Sequence, residues 1–265
     1  MMNSETTQLE QGDAGNISPE AEALSERSEL AQAGGGILPA PHRYQLVQTP
    51  ARLELHDTQD PKIGAVYVDF VEGKAQHRRL FGGGKGQDIA KAIGLHKRKN
   101  PYVIDATAGL GRESFVLATL GCTVTLLERS PTVHALLADG LTRARASDDA
   151  EINAIVARMT LHHSDAYTWL QNLPSDALPD VIYLDPMFPE RQKTALVQKE
   201  MRFFHEVVGE DPDSDRLLEI ACQRAKYRVV VKRPRHAPEL AACKPAFVIS
   251  GKAVRYDVYL GKATA

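Results

Sequence analysis

The chain has 265 residues, 43% of them hydrophobic and 25% charged, a composition that excludes wholesale disorder and supports a core large enough to need no disulfide or structural metal. Its three cysteines, Cys122, Cys222 and Cys243, form no Cys-x-x-Cys pair, its acidic first thirty residues lack the apolar centre of a secretory signal, and no apolar run approaches a membrane span; a reducing cytoplasm and no metal or membrane are expected. The net charge of −2 conceals a segregation, since residues 1–60 hold 3 Lys/Arg against 10 Asp/Glu and the remainder 29 against 24.

Residues 1–36, rich in Gln, Glu, Ser, Ala and Gly and closing on Gly34-Gly35-Gly36, read as a weakly ordered acidic tail with one short helix around Ala21 to Ala33. Tyr44-Gln-Leu-Val, Leu53-Glu-Leu and Gly64 to Val71 have the alternation or the β-branched and aromatic content of strands, so residues 37–99 form a small β-rich module with a short helix at Asp88 to Gly94. Its stretch Lys74 to Lys99 holds Lys74, Arg78, Arg79, Lys85, Lys91, Lys97, Arg98 and Lys99 against Asp88 alone. Such a run is either a solvated face or a phosphate-contacting surface, and charge by itself leaves both open.

From Tyr102 the texture changes. Strand patterns at Tyr102–Asp105, Val124–Leu127, Met159–His162, Val181–Leu184 and Arg228–Val231 alternate with helical spacing at Arg112–Leu120, Thr132–Arg145, Gln192–Val208 and Asp215–Lys226. That alternation predicts a mostly parallel α/β sheet over residues 100–265, closed by an antiparallel hairpin of Phe247–Ser250 and Arg255–Leu260.

The chemistry is expected where strands end. Asp105 closes the first of these strands, and Gly109 and Gly111 follow in a loop that opens a helix, where glycines let the backbone turn tightly and approach a ligand. A carboxylate at Asp105 favours the sulfonium and amino group of S-adenosylmethionine and repels a diphosphate; the bland reading is a loop acid bonding nearby amides. Glu128, nineteen residues beyond Gly109, can accept both hydroxyls of a ribose, a feature shared by NAD and S-adenosylmethionine sites. Ser164 and Asp165 end the third strand, where they can hold an adenine edge, cap the following helix, or do both. After the fourth strand comes Asp185-Pro186-Met187-Phe188. Its carboxylate and the Pro186 carbonyl can accept the hydrogens of an exocyclic amine while Phe188 stacks on the base, although an isolated turn of this kind is common.

Taken together, Ile104-Asp-Ala-Thr-Ala-Gly-Leu-Gly-Arg112, Leu127-Glu-Arg129, Tyr183-Leu-Asp-Pro-Met-Phe-Pro189, Val229-Val-Val-Lys-Arg-Pro234 and His77-Arg-Arg-Leu-Phe-Gly-Gly-Gly-Lys85 resemble the bacterial small-subunit ribosomal RNA guanine-N2 methyltransferases of the J type. The likeness runs from about Ile63 to Leu260, with Met187 in place of the second proline of the amine-binding motif. It implies a Rossmann-like class I methyltransferase sheet with a small N-terminal β-rich module, S-adenosylmethionine as cofactor, and methylation of a guanine 2-amino group in 16S RNA, as naked RNA or in a ribosomal particle. The family's cofactor contacts carry over to Arg112, Glu113, Glu128, Arg129, Ser164, Asp165 and Asp185, where Asp165 departs from the small hydroxyl residue common in the family.

On this reading Asp185, Pro186 and Phe188 handle the amine, and Arg78, Arg79, Lys85, Lys193, Lys232 and Arg233 contact the RNA. The alternatives are methylation of another RNA or DNA base, an NAD-dependent oxidoreductase, and a non-catalytic RNA-binding module of the same fold.

Overall fold

The computed structural model describes residues 43–60, 62, 64–72, 84–187, 206 and 213–262. The tail 1–36, Lys74 to Arg79 and, apart from residue 206, the helix expected at Gln192–Val208 lie outside the described residues.

Strands β1 (Tyr44–Gln48) and β2 (Leu53–Asp57) pair as an antiparallel hairpin. A seven-stranded sheet follows, built from β3 (Tyr102–Asp105), β4 (Thr123–Glu128), β5 (Met159–His163), β6 (Val181–Leu184), β7 (Arg228–Pro234), β8 (Phe247–Ser250) and β9 (Val254–Leu260). Its order is β5-β4-β3-β6-β7-β9-β8, with β3 to β7 parallel and β9 antiparallel to both its neighbours. The mostly parallel sheet and its closing hairpin are therefore as expected.

The central strands are short apolar runs because both faces are covered. Alternate residues bury into different cores: Val103, Val124, Leu126, Tyr183 and Val230 on one face, and Ile104, Leu127, Ile182, Leu184, Val229 and Val231 on the other. The connecting helices among the described residues are α1 (Asp88–Ile93), α2 (Arg112–Thr119), α3 (Pro131–Arg145), α4 (Ala150–Val156), α5 (Ala166–Gln171) and α6 (Ser214–Arg224). The helix α4 was not anticipated; Asp149 starts it by accepting from the amides of Glu151 and Ile152.

The expected strand at Gly64 to Val71 is instead extended chain with a single bridge, Leu55 to Val66. It crosses helices, which offer no ladder partner, so side chains hold it in place. Phe70 stacks on Phe115 with ring centroids 4.8 Å apart. A Cβ on Gly140 of α3 would meet Val68 Cγ1 at 2.4 Å, and Arg143 of the same helix donates to the Val68 carbonyl. Leu55, Val66, Val68 and Phe70 thus continue the sheet's own core.

Strand order reverses at β3, whose neighbours are β4 and β6. In parallel sheets such a reversal opens a crevice beyond the carboxyl ends of the strands. Lys97, Arg98 and Lys99 precede β3, so this part of the basic stretch lies at the opposite end of the sheet, with Arg98 stacked 3.1 Å from the Tyr227 ring centroid.

Candidate active site

The crevice is a cavity of about 980 Å³ lined by the loops that follow β3, β4, β5 and β6, by Lys232 and Pro234 of β7, and by Arg52 and the extended segment 65–70 on the other side. The loop after β3 is tied to both flanking strands: Ala106 N donates to the Tyr183 carbonyl at 3.0 Å and Ala108 N to the Leu127 carbonyl at 3.1 Å. Gly111 N-caps α2 with φ 71, and a Cβ there would meet Leu137 Cδ1 at 2.7 Å, so conformation and packing both demand glycine. It stands behind the wall, whereas Gly109, Arg112 and Glu113 line the cavity.

Glu128, 6% exposed, accepts from Gly109 N at 2.9 Å and Ser130 N at 2.7 Å. These amides hold its carboxylate at the cavity wall. Next to it, Ser164 N donates to the Glu128 carbonyl at 3.1 Å, and Asp165 caps α5 by accepting from Thr168 N at 2.8 Å. Asp165 therefore does act as a helix cap. Ser164, Asp165 and Arg129 nonetheless line the cavity, and Arg129 Nη1 lies 3.5 Å from Asp213 Oδ1.

Asp105 is 1% exposed and accepts from Ser114 Oγ at 2.5 Å and from Thr107 N at 3.2 Å. The reading of a loop acid bonding nearby groups holds for its hydrogen bonds, while its backbone and edge still belong to the cavity wall. Burial pushes its carboxyl up to about 7, with Ser114 and the Thr107 amide pulling it down and the Glu113 and Asp185 carboxylates adding to the rise.

Asp185 begins the loop after β6. Its amide donates to Thr107 Oγ1 at 2.6 Å, and its Oδ2 accepts from Lys232 Nζ at 2.7 Å; the same ammonium donates to Glu113 Oε1 at 3.1 Å. Burial lowers the Lys232 pKa, but Asp185 and Glu113 more than offset it and hold the ammonium above the ordinary lysine value. Pro186 and Met187 also line the cavity.

The structure thus gathers Asp105, Gly109, Arg112, Glu113, Glu128, Arg129, Ser164, Asp165, Asp185 and Pro186 around one cavity. Phe188, Arg78, Arg79 and Lys193 lie outside the described residues, and of Lys85 only the backbone is described, in a short 3-10 turn. Two residues expected at the RNA surface are placed otherwise. Arg233 is 1% exposed and does not present its guanidinium to an RNA surface. Lys232 lies inside the site, where its ammonium pairs with the carboxylates of Asp185 and Glu113. Strand parity explains both, because adjacent residues of β7 point to opposite faces and only Lys232 lies beside Asp185. Thr107, Tyr183 and the wall of Arg52 and residues 65–70 were not anticipated as parts of the site, nor was the pairing of Lys232 with Asp185 and Glu113. The signal for Lys232 was its register: Leu184 pairs with Val231, so the next residues, Asp185 and Lys232, adjoin.

A family profile for SAM-dependent methyltransferases matches residues 30–261. Proteins named ribosomal RNA small subunit methyltransferase J from Aeromonas hydrophila and Aeromonas salmonicida are 55% and 58% identical to the chain, over 93% and 84% of it and 95% and 88% of their own lengths. The crystal structure of a SAM-dependent methyltransferase from Neisseria gonorrhoeae is similar with a TM-score of 0.66 at 42% identity, covering 84% of this chain and 86% of that one.

Proposed function

Because the chain belongs to the family of SAM-dependent methyltransferases that includes ribosomal RNA small subunit methyltransferase J, we propose that it methylates the exocyclic 2-amino group of a guanosine in small-subunit (16S) ribosomal RNA. The chain is a methyltransferase, and S-adenosylmethionine is its cofactor. The residues around the cavity fit that cofactor: the Glu128 carboxylate suits adjacent ribose hydroxyls, and apart from Asp105 seven acidic residues against four basic ones line the cavity, which suits a cationic ligand. When bound, the cofactor supplies an electrophilic methyl group on a sulfonium.

The observation that carries the substrate reading is the bond from the Asp185 amide to Thr107 Oγ1, which fastens the Asp-Pro turn to the glycine loop. Asp185 Oδ and the Pro186 carbonyl are the acceptors for the two hydrogens of the amine. That amine is a poor nucleophile because its lone pair is delocalised into the purine. Accepting both hydrogens favours a pyramidal nitrogen and stabilises the positive charge that grows as the nitrogen takes the methyl carbon and the carbon–sulfur bond breaks. The sulfur keeps the bonding pair and departs as the neutral thioether S-adenosylhomocysteine, and one proton passes from the nitrogen to solvent water. The guanine must be unstacked to reach the cavity, which costs a few kcal/mol if it starts in a helix. Phe188 completes the reading as the stacking face for the base.

The test is single-turnover transfer of a labelled methyl group to small-subunit RNA at saturating cofactor, with mass mapping of the modified base. Asp185→Ala is expected to slow transfer by on the order of 10² to 10³ with RNA affinity retained. Wild-type rates in that variant, or a methyl group on another base or atom, refute the substrate reading.

A further inference from the structure

Asp185 and Glu113 stand on opposite sides of the site, one in the loop after β6 and the other in the first turn of α2. Their carboxylates converge on Lys232, at 2.7 Å and 3.1 Å from its Nζ. The lysine is 47 positions from Asp185 and 119 from Glu113, and it projects from β7, which pairs along its length with β9, Lys232 opposite Tyr256, and up to Val231 with β6. Its backbone is fixed by the sheet, and two of its ammonium donors reach the two carboxylates. From this geometry we propose that Lys232 is a positioning residue for methyl transfer: it fixes the direction of the Asp185 carboxylate and ties it to the cofactor side of the site through Glu113. The inference rests on Asp185 being the amine acceptor.

The physical reason is charge balance. Two carboxylates sharing one part-buried site repel each other, and without a cation between them one takes up a proton. A protonated Asp185 loses acceptor strength as the amine gains positive charge. Lys232 offsets that repulsion by placing an ammonium within 3.1 Å of both. Two of the three ammonium donors already face carboxylates, which disfavours a role as a phosphate contact.

The experiment compares Lys232→Met, Lys232→Arg, Asp185→Asn and the double variant Lys232→Met with Asp185→Asn, all in the full chain. It measures the single-turnover rate at saturating RNA and cofactor, cofactor affinity by calorimetry, and RNA affinity at two salt concentrations. Lys232→Met is expected to slow the saturated rate by on the order of 10- to 100-fold, the scale of a lost electrostatic support. Cofactor affinity should stay within a few-fold, and RNA affinity and its salt slope should not move. Lys232→Arg, which keeps the charge, should recover most of the rate. The double variant should be no slower than Asp185→Asn alone, because the lysine acts through that carboxylate.

A saturated rate near wild type in Lys232→Met, with weakened RNA binding and a salt slope smaller by about one, overturns the proposal in favour of a phosphate contact. Multiplying losses in the double variant overturn it as well. If Asp185→Asn itself transfers at the wild-type rate, the substrate reading fails together with this one; a slow Asp185→Asn beside a fast Lys232→Met sinks only the role of the lysine. Should Lys232→Met not fold, Lys232→Gln is held to the same criteria.

Discussion

The amide of Asp185 donates to Thr107 Oγ1 at 2.6 Å across 78 positions of sequence, so one hydroxyl joins the loop after β3 to the loop after β6. Serine can make the same bond and valine cannot. Thr107→Val is therefore expected to leave the part-buried Asp185 amide without its acceptor, costing about 1–3 kcal/mol of stability, and to lower the single-turnover rate; Thr107→Ser should retain most of both. Thermal melts and transfer assays on the two variants check this, and equal behaviour of valine and serine would dissolve the link.

Glu128 serves two ends at once. Its carboxylate holds the amides of Gly109 and Ser130, and it is the proposed acceptor of the ribose hydroxyls. Glu128→Ala should weaken binding of S-adenosylmethionine by about 1–3 kcal/mol, the scale of losing hydrogen bonds to a charged partner. Calorimetric titration measures it; unchanged affinity would place the ribose elsewhere.

Asp105 makes stability depend on pH. Its carboxyl is raised by burial from 3.8 to about 7 in the folded protein. Between those values the folded state binds a proton that the unfolded state has released. Its contribution to stability is therefore fully present below about pH 4, falls as pH rises, and levels off above about 7. Asp105→Asn should remove that slope. Denaturant midpoints for the wild type and the variant at pH 5 and pH 7.5 give the comparison, and parallel changes in the two proteins would contradict the assignment.

The RNA surface is tested by salt. Neutralising Arg78, Arg79 and Lys85 together should weaken binding of small-subunit RNA and reduce its salt slope by up to about three, if each residue meets one phosphate. Cofactor affinity should be unchanged. The same measurement on Lys97→Ala with Lys99→Ala should show little change, since those residues precede β3 at the far end of the sheet.

Much of the site could be read along the chain. Asp105, Glu128, Asp165 and Asp185 each follow or close a strand-like run, and a parallel sheet brings such ends to one edge whatever the order of its strands. Residue type and local period were enough, because both are properties of neighbours in sequence. Other features were decided by the tertiary structure. Which strands adjoin, and so which acids meet, depended on β3 lying between β4 and β6. Lys232 and Arg233 are equivalent in a reading of charge, yet strand parity sends one to Asp185 and Glu113 and buries the other. Asp105 stood open between a ligand carboxylate and a loop acid, and only the fold shows Ser114, nine positions on in the first turn of α2, as its partner. The wall built from Arg52 and residues 65–70 had no signature of its own, because an extended segment packed on helices is held by side chains rather than by a ladder. Side-chain direction is set by register and packing between segments distant in the chain, and a linear sequence carries that information only through the fold.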